Sequence, residues 1–313
     1  MGNNPLDMLD GFDAKKTLAL INRLGGREIV DEFLAGNKKV TFEDVVRLCI
    51  GKNARFVIPE GFEHGHVDLN PDYFWEQPTG KFDFASLIKR GALYLPQGMK
   101  ALSAAQMEDG CRTLEEQITA DSQVSNLFTV KDRRRGIRLP WFLPQMDIDP
   151  KNPGKAIHEI FKPAIKRAYE TEFGEHKFVD YRKDDTDGCV TIVDESQLKL
   201  VAALRAGPVF GWIFPGVFQG IGIKGDRALM KTLPAGHNFA LGGFDSLAAM
   251  ILHTATLARD NNTPVMDLAS FQWRDPGYSL YLDARDGRLE FGRRCLDPYE
   301  RYSAALSVFR QSA

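Results

Sequence analysis

Residues 208–225 read PVFGWIFPGVFQGIGIKG, and the fold class turns on this run. Gly220, Gly222 and Gly225 match G-x-G-x-x-G. In a dinucleotide site such glycines let the backbone approach a pyrophosphate at a helix N-terminus. Asp245 stands 20 residues after Gly225, the distance expected of an acid that holds a ribose hydroxyl. The flanks argue otherwise. Pro215 and Gly216 weaken the strand that should lead in. Pro234 cuts the following helix, read as Asp226 to Leu233, to about two turns. No β-α-β alternation precedes the run. It therefore reads as strand pieces ended by a glycine-rich corner. The fold class read from this is α+β, a helical N-terminal unit followed by a mixed α/β C-terminal domain.

Outward from this run the second half is well patterned. Glu195 to Ala206 reads as a helix ended by Gly207 and Pro208, and Cys189 to Val193 as a strand. Pro153 to Phe173 carries Ile157, Ile160, Phe161, Ala164, Ile165 and Ala168 on one helical face, with a kink or restart expected at Pro163. Asp245 is read as the cap of a helix holding Leu247, Ile251 and Leu257. Tyr278 to Leu282 and Arg288 to Phe291 flank Asp286-Gly287 as a hairpin of open loop type. Asp297-Pro298 reads as the N-cap and first residue of a last helix. Pro140, Pro144, Pro150 and Pro153 suggest a domain boundary. The expected division is residues 1–55 as a helical unit, 56–140 as an irregular mixed region and 150–313 as the α+β domain.

Composition bounds the function. The chain has 313 residues, 43% hydrophobic and 26% charged, with a net charge of −2. These values exclude a disordered chain, and the balanced charge disfavours a polybasic coat for nucleic acid or membrane. The four cysteines form no C-x-x-C pair, which excludes a zinc ribbon or thioredoxin-type motif and suggests free thiols in a reducing compartment. The apolar run at 208–223 is too short and too rich in glycine to cross a bilayer. No signal-peptide pattern opens the chain, so a cytoplasmic protein without membrane insertion is expected.

A resemblance adds to this reading. Thr232-Leu-Pro-Ala-Gly236, Leu241-Gly-Gly-Phe-Asp245, Leu257-Ala-Arg-Asp-Asn-Asn-Thr-Pro264, Asp267-Leu-Ala-Ser-Phe-Gln-Trp-Arg274, Tyr278-Ser-Leu-Tyr281 and Ala284-Arg-Asp-Gly-Arg-Leu-Glu-Phe-Gly292 are similar to a group of uncharacterised proteins from candidate-phyla bacteria. Leu24-Gly-Gly-Arg27 and Phe33-Leu-Ala-Gly36 resemble the start of such proteins. The resemblance centres on residues 205–310. It implies no activity and transfers no catalytic residue.

Several clusters qualify as candidate sites. His64, His66 and Asp68 share one face of an extended segment, because side chains alternate with period two. Three such ligands leave a position open for water, the arrangement of a divalent-metal-dependent hydrolase. The competing reading is a solvated acidic loop. His237, Asp245 and His253, with Ser246 or Ser270, supply the residue types of a hydrolase triad but no G-x-S-x-G motif. Asp184, Asp185, Asp187, Asp194 and Glu195 offer hard oxygens without EF-hand spacing. Lys131, Arg133, Arg134, Arg135 and Arg138 form an anion patch, or else pair with the acidic stretch 60–127, whose 11 acids outnumber five bases. The three short helices expected over 12–51 allow a DNA-binding helix-turn-helix, but nine basic against eight acidic residues up to Arg55 is a weak phosphate footprint. Nucleic acid is therefore not favoured. The aromatics at 212–218, 239–244 and 271–281 read as core. A pocket, if present, is expected where loop 259–263, the 216–225 glycines and Arg274 converge. The reading that stands first is a binding or interaction protein, with the metal hydrolase and the DNA binder as alternatives.

Overall fold

The computed structural model describes residues 47–98, 102–182 and 186–312, with Glu28, Asp31, Glu32 and Ala35 before them. The chain divides into residues 1–46 and 47–313. Glu28, Asp31 and Glu32 of the first unit are helical. The remaining helix and DNA-binding readings on residues 12–46 lie outside the described residues.

In the second unit, α1 (Phe84–Tyr94), α2 (Ala104–Ala120) and α3 (Asn126–Thr129) precede β1 (Leu139–Leu143). Next come α4 (Pro153–Ala156), a π-helical turn (Ile157–Phe161) and α5 (Lys162–Phe173). β2 (Lys177–Asp180), β3 (Val190–Ile192), α6 (Glu195–Ala206), β4 (Val209–Phe214) and α7 (Ile223–Met230) follow. The chain continues through β5 (Phe239–Leu241), α8 (Phe244–Leu252), α9 (Thr254–Leu257), β6 (Val265–Leu268) and β7 (Phe271–Trp273). It closes with β8 (Tyr278–Arg285), β9 (Arg288–Cys295), β10 (Tyr302–Ala304) and β11 (Leu306–Gln311). Helices and mixed sheets together make this an α+β fold. Among the described residues no helix is long and apolar enough to cross a membrane.

Three sheets organise these elements: β1-β4-β11-β5, β10-β6-β8-β9-β2 and β3-β7. The first is antiparallel throughout, with Trp212 opposite Pro140 on one side and Val308 on the other. All six residues of β4 are buried. An antiparallel setting gives β4 no crossover partner, so the glycines after it are a strand corner. α2 begins with a reciprocal capping box between Ser103 and Gln106, which satisfies two helix-end donors. It then crosses β4 closely at Gly110, where a Cβ would fall 2.1 Å from the Phe210 ring. Any larger residue there would push the helix off the sheet.

The structure corrects several expectations. The proline-rich run 140–153 does not separate domains. β1 lies within it and pairs with β4, and one apolar core extends from Ile50 to Phe309. The helix expected after Asp297-Pro298 is absent. Leu306–Gln311 instead fills the sheet between β4 and β5, and that tertiary pairing outweighs a local start signal. Asp245 is not the N-cap of α8. Gly243 holds that position, and the Asp245 carboxylate accepts its N–H at 2.9 Å. α7 starts at Ile223, three residues before the expected Asp226. The hairpin strands extend to Arg285 and Arg288, leaving Asp286 and Gly287 with φ of 49° and 70° as the turn. Positive φ at both central residues is the type I′ pattern. Pro163 lies just past the π-helical turn, consistent with the backbone bond that proline cannot make.

The five-stranded sheet is held by a buried ion pair. Asp267 of β6 accepts from Nε and a terminal nitrogen of Arg294 of β9 at 2.7 and 2.6 Å, reaching across β8. The other terminal nitrogen donates to the carbonyls of Cys295 and Asp297. Both side chains are almost fully buried, and the Tyr302 ring lies 4.2 Å from the guanidinium. Removing one partner strands the other charge in the core. Asp267→Ala is expected to cost about 3–5 kcal/mol in urea unfolding. A loss under about 1 kcal/mol would show that the pair behaves like a solvated surface bridge.

Candidate functional site

A cleft of about 580 Å³ opens between α2, the irregular segment 77–84 and the loop 128–138. Its floor is aromatic because β4 alternates, so Phe210, Trp212 and Phe214 project to one face. Phe82 and Phe128 meet the Trp212 ring edge to face, each with centroids 5.7 Å away. Phe128 also stands perpendicular to Phe214 at 5.1 Å. The indole N–H of Trp212 donates to the Cys111 carbonyl at 2.8 Å. That bond satisfies its polar edge inside the core.

The walls are locked by backbone geometry. Asp132 accepts from the backbone N–H groups of Arg134 and Arg135, and its carbonyl accepts from Gly136 at 2.8 Å. The sole acid of the basic run therefore closes its own loop. Gln77 ties this loop to the facing segment. Its N–H and carbonyl bond the Arg133 carbonyl and guanidinium, and its side chain accepts the Arg138 N–H at 2.8 Å. Arg138 stacks 5.1 Å over the Phe128 ring and lies 3.4 Å from Glu115.

Charge gathers at the rim. Lys81, Arg112, Lys131, Arg133 and Arg138 line the cleft against Glu108, Glu115 and Asp132, a lining excess of two positive charges. Arg112 is engaged by Asp109 and Glu116, and Arg133 approaches Glu76 at 3.5 Å. Lys81 and Lys131 are exposed and have no carboxylate partner among the described residues. An apolar floor under a cationic rim suits a flat ring bearing a negative group.

The sequence candidates lie elsewhere. Gly220, Gly222 and Gly225 face chain. A Cβ at Gly220 would fall 2.8 Å from the Val67 carbonyl, at Gly222 3.0 Å from that of Leu296, and at Gly225 2.9 Å from the Phe62 ring. Their freedom is used to seat the 62–67 segment, whose His66 bridges to Ile221. His64 and His66 flank Phe62, at 5.3 and 6.4 Å between ring centroids, and Asp68 is exposed. Among the described residues no group of three or more His, Cys, Asp or Glu is placed to hold a metal ion. His64, His66 and Asp68 are thus not gathered as the three-ligand site expected of a divalent metal. Period two needs a regular strand, and this segment is irregular apart from the His66 bridge.

His237, Asp245 and His253 take separate partners. His237 meets Asp121 at 3.1 Å. Asp245 accepts from Ser307, Gln197 and the Gly243 N–H. His253 donates to the Pro140 carbonyl at 2.6 Å. Ser270 donates to the Gly242 carbonyl. Asp194 caps α6, Asp187 accepts from Asn152, and Asp184 and Asp185 lie outside the described residues. Loop 259–263 meets Asp286 and Phe74 rather than Arg274, which lies beside Cys189. Arg133 and Arg138 approach Glu76 and Glu115, acids of the 60–127 stretch, as the pairing reading held. Sequence reasoning passed over Lys81, Phe82 and Phe128, whereas Lys131, Arg133 and Arg138 of the expected anion patch do line the cleft. The available signal was Lys81-Phe-Asp-Phe84, aromatics alternating with charges in a segment too polar for a core strand. Comparison with known proteins yields no matching family model, no matching curated protein and no matching solved structure.

Two buried titratable groups act in opposite directions. Burial raises the Asp245 carboxyl from 3.8 to about 6, although hydrogen bonds from Ser307, Gln197 and backbone N–H groups favour its ionised form. Burial lowers the His253 imidazole from 6.5 to about 4, while its bond to Pro140 acts against the shift. For Asp245 the folded state binds the extra proton, so its contribution to stability falls as pH rises from 3.8 to about 6. For His253 the unfolded state binds the extra proton, so its contribution is lost as pH falls from 6.5 to about 4. Each effect is worth about 3 kcal/mol. The wild-type stability minus that of Asp245→Asn should fall across this window, and minus that of His253→Gln should rise. Urea titrations at a series of pH values measure both, and two flat differences would rule out the assigned shifts.

Proposed function

We propose that this protein binds a flat, largely apolar organic anion in the cleft between α2 and loops 77–84 and 128–138. The carrying observation is the Trp212–Phe128–Phe82 floor beneath the exposed Lys81 and Lys131. A ring laid on this floor would gain dispersion and quadrupole contacts, and its negative group would meet lysines that no carboxylate neutralises among the described residues. The volume falls within the range of small-molecule sites. The Gln77 bonds hold the two loops together, so a ligand would meet a preformed site and lose little binding energy to ordering. Cytoplasmic residence fits this reading, because the four cysteines are free thiols.

Anilinonaphthalene sulfonate, an aromatic anion with a flat naphthalene ring, serves as the probe in fluorescence titration of the full chain. Saturable binding at one site per chain is expected. The double variant Lys81→Glu/Lys131→Glu should weaken binding at least about tenfold without changing the melting temperature, since both lysines are exposed. Phe82→Ala should weaken binding at every salt concentration, whereas the lysine effect should shrink as salt rises. Equal affinity in wild type and the double lysine variant would overturn the proposal.

A further inference from the structure

The second sheet and the β3-β7 pair bring three arginines to one tryptophan. The guanidinium carbons of Arg182, Arg274 and Arg293 lie 5.9, 5.9 and 5.7 Å from the Trp273 ring centroid. An indole has two faces, so at least two of these cations share one. The topology explains the convergence. β2 and β9 run parallel with Asp180 opposite Phe291, and Arg182 and Arg293 each lie two residues further on. Arg274 follows Trp273 directly, where β7 pairs with β3.

What distinguishes this cluster is that three cations meet at one ring with no counter-charge among the described residues. None of the three arginines has a carboxylate partner among the described residues, whereas Arg138 and Arg294, each over an aromatic ring, are paired. Among the described residues the neighbouring acids are engaged elsewhere. Asp180 holds Lys162 at 2.7 Å and the Arg182 N–H, and Asp275 accepts the Gly277 N–H. Among the described residues the Arg274 guanidinium donates only to the Cys189 sulfur, at 3.9 Å, while its backbone N–H donates to the Cys189 carbonyl at 2.7 Å. Two donors are also buried without an acceptor, the indole N–H of Trp273 and the Nε–H of Arg182. Trp273 is 0% exposed. Buried donors of this kind are rarely left unmade, because each costs about 1–3 kcal/mol.

We propose that Arg182, Arg274 and Arg293 form a binding site for a phosphoryl oxyanion. A tetrahedral oxyanion supplies several acceptors at once, and guanidinium forks match its geometry. It would relieve the mutual repulsion of the cations and offer an acceptor to the Arg182 Nε–H. The site is separate from the aromatic cleft, sharing none of its lining residues.

Calorimetric titration of the full chain with inorganic phosphate tests this directly, with methyl phosphate as a second arm. Binding with a Kd of about 1 mM or tighter is expected. Methyl phosphate binding at least as well would assign the site to a phosphate ester, and binding of phosphate alone would assign it to the free ion. Arg274→Met, at an exposed position, should weaken binding about tenfold or more and keep the melting temperature measured without phosphate. Arg274→Lys should fall between Met and wild type, because it keeps the charge but loses the fork. Arg293→Met provides an independent second variant. No heat of binding at millimolar phosphate, the same signal from sodium chloride at matched ionic strength, or wild-type affinity in both methionine variants would overturn the proposal.

Discussion

The register of β4 between β1 and β11 is the constraint on which the rest of this unit depends. Three segments far apart in the chain meet in that ladder, at Phe142↔Phe210 on one side and Val308↔Trp212 on the other. Side chains alternate along a strand, so a slip by one residue would turn Phe210, Trp212 and Phe214 to the opposite face. The slip would remove the Phe210 ring from its seat on Gly110 and the Trp212 indole from the Cys111 carbonyl. It would also erase the floor of the cleft. The packing that fixes the sheet is thus the same packing that shapes the candidate site, and the cleft is rigid for the reason that the core is.

Charge inside this core is tolerated by three different means. Asp267 and Arg294 neutralise each other through a two-pronged contact, with the remaining arginine donors given to carbonyls. Asp245 sits among three donors at the start of α8 and titrates only modestly above its ordinary range. Asp226 has neither: both oxygens are buried without a hydrogen-bond partner, and its carboxyl is pushed well up by burial and then by Asp267. Arg294, Arg227 and Arg55 pull the other way without prevailing. A neutral acid is the state that such surroundings favour, since an ionised carboxylate at that depth would need contacts that are not made. The loop 220–226 therefore owes its position to backbone bonds with Gly65 and Leu296 rather than to an ion pair at Asp226.

Legibility in the sequence followed the range of the forces involved. Glu195–Ala206 was readable to the residue because Asp194 and Gly207 are local signals. The α+β class was readable because Pro215 and Gly216 weaken the strand that should lead in and Pro234 cuts the helix that should cross over. β11 was not readable, since what makes Leu306–Gln311 a strand is its two partners, distant in sequence. The proline-rich run misled for the same reason. Pro140 lacks a donor, but it sits on β1, an edge strand, where that lack is tolerated. The cleft was least legible. Trp212 stood out only as core, and the residues that turn core into floor come from an irregular segment, Phe82, and from a single helical turn, Phe128 of α3, both too short for a periodicity to encode.

Arginine stacked on an aromatic ring recurs in this structure, and the differences between instances carry more meaning than the recurrence. Arg138 lies over Phe128 with Glu115 beside it, and Arg294 lies over Tyr302 with Asp267 beside it. In both, the ring supports a cation that an acid already balances, and the arrangement is complete as it stands. Around Trp273 the rings and cations are present and the acid is missing from the described residues. Stacking on an indole offsets only part of the cost of crowding like charges, at roughly 0.5–2 kcal/mol per contact. The buried donors at the same place point in the same direction as the charges. An arrangement incomplete in both charge and hydrogen bonding is a binding arrangement, and that distinguishes it from the paired arginines that only hold the fold together.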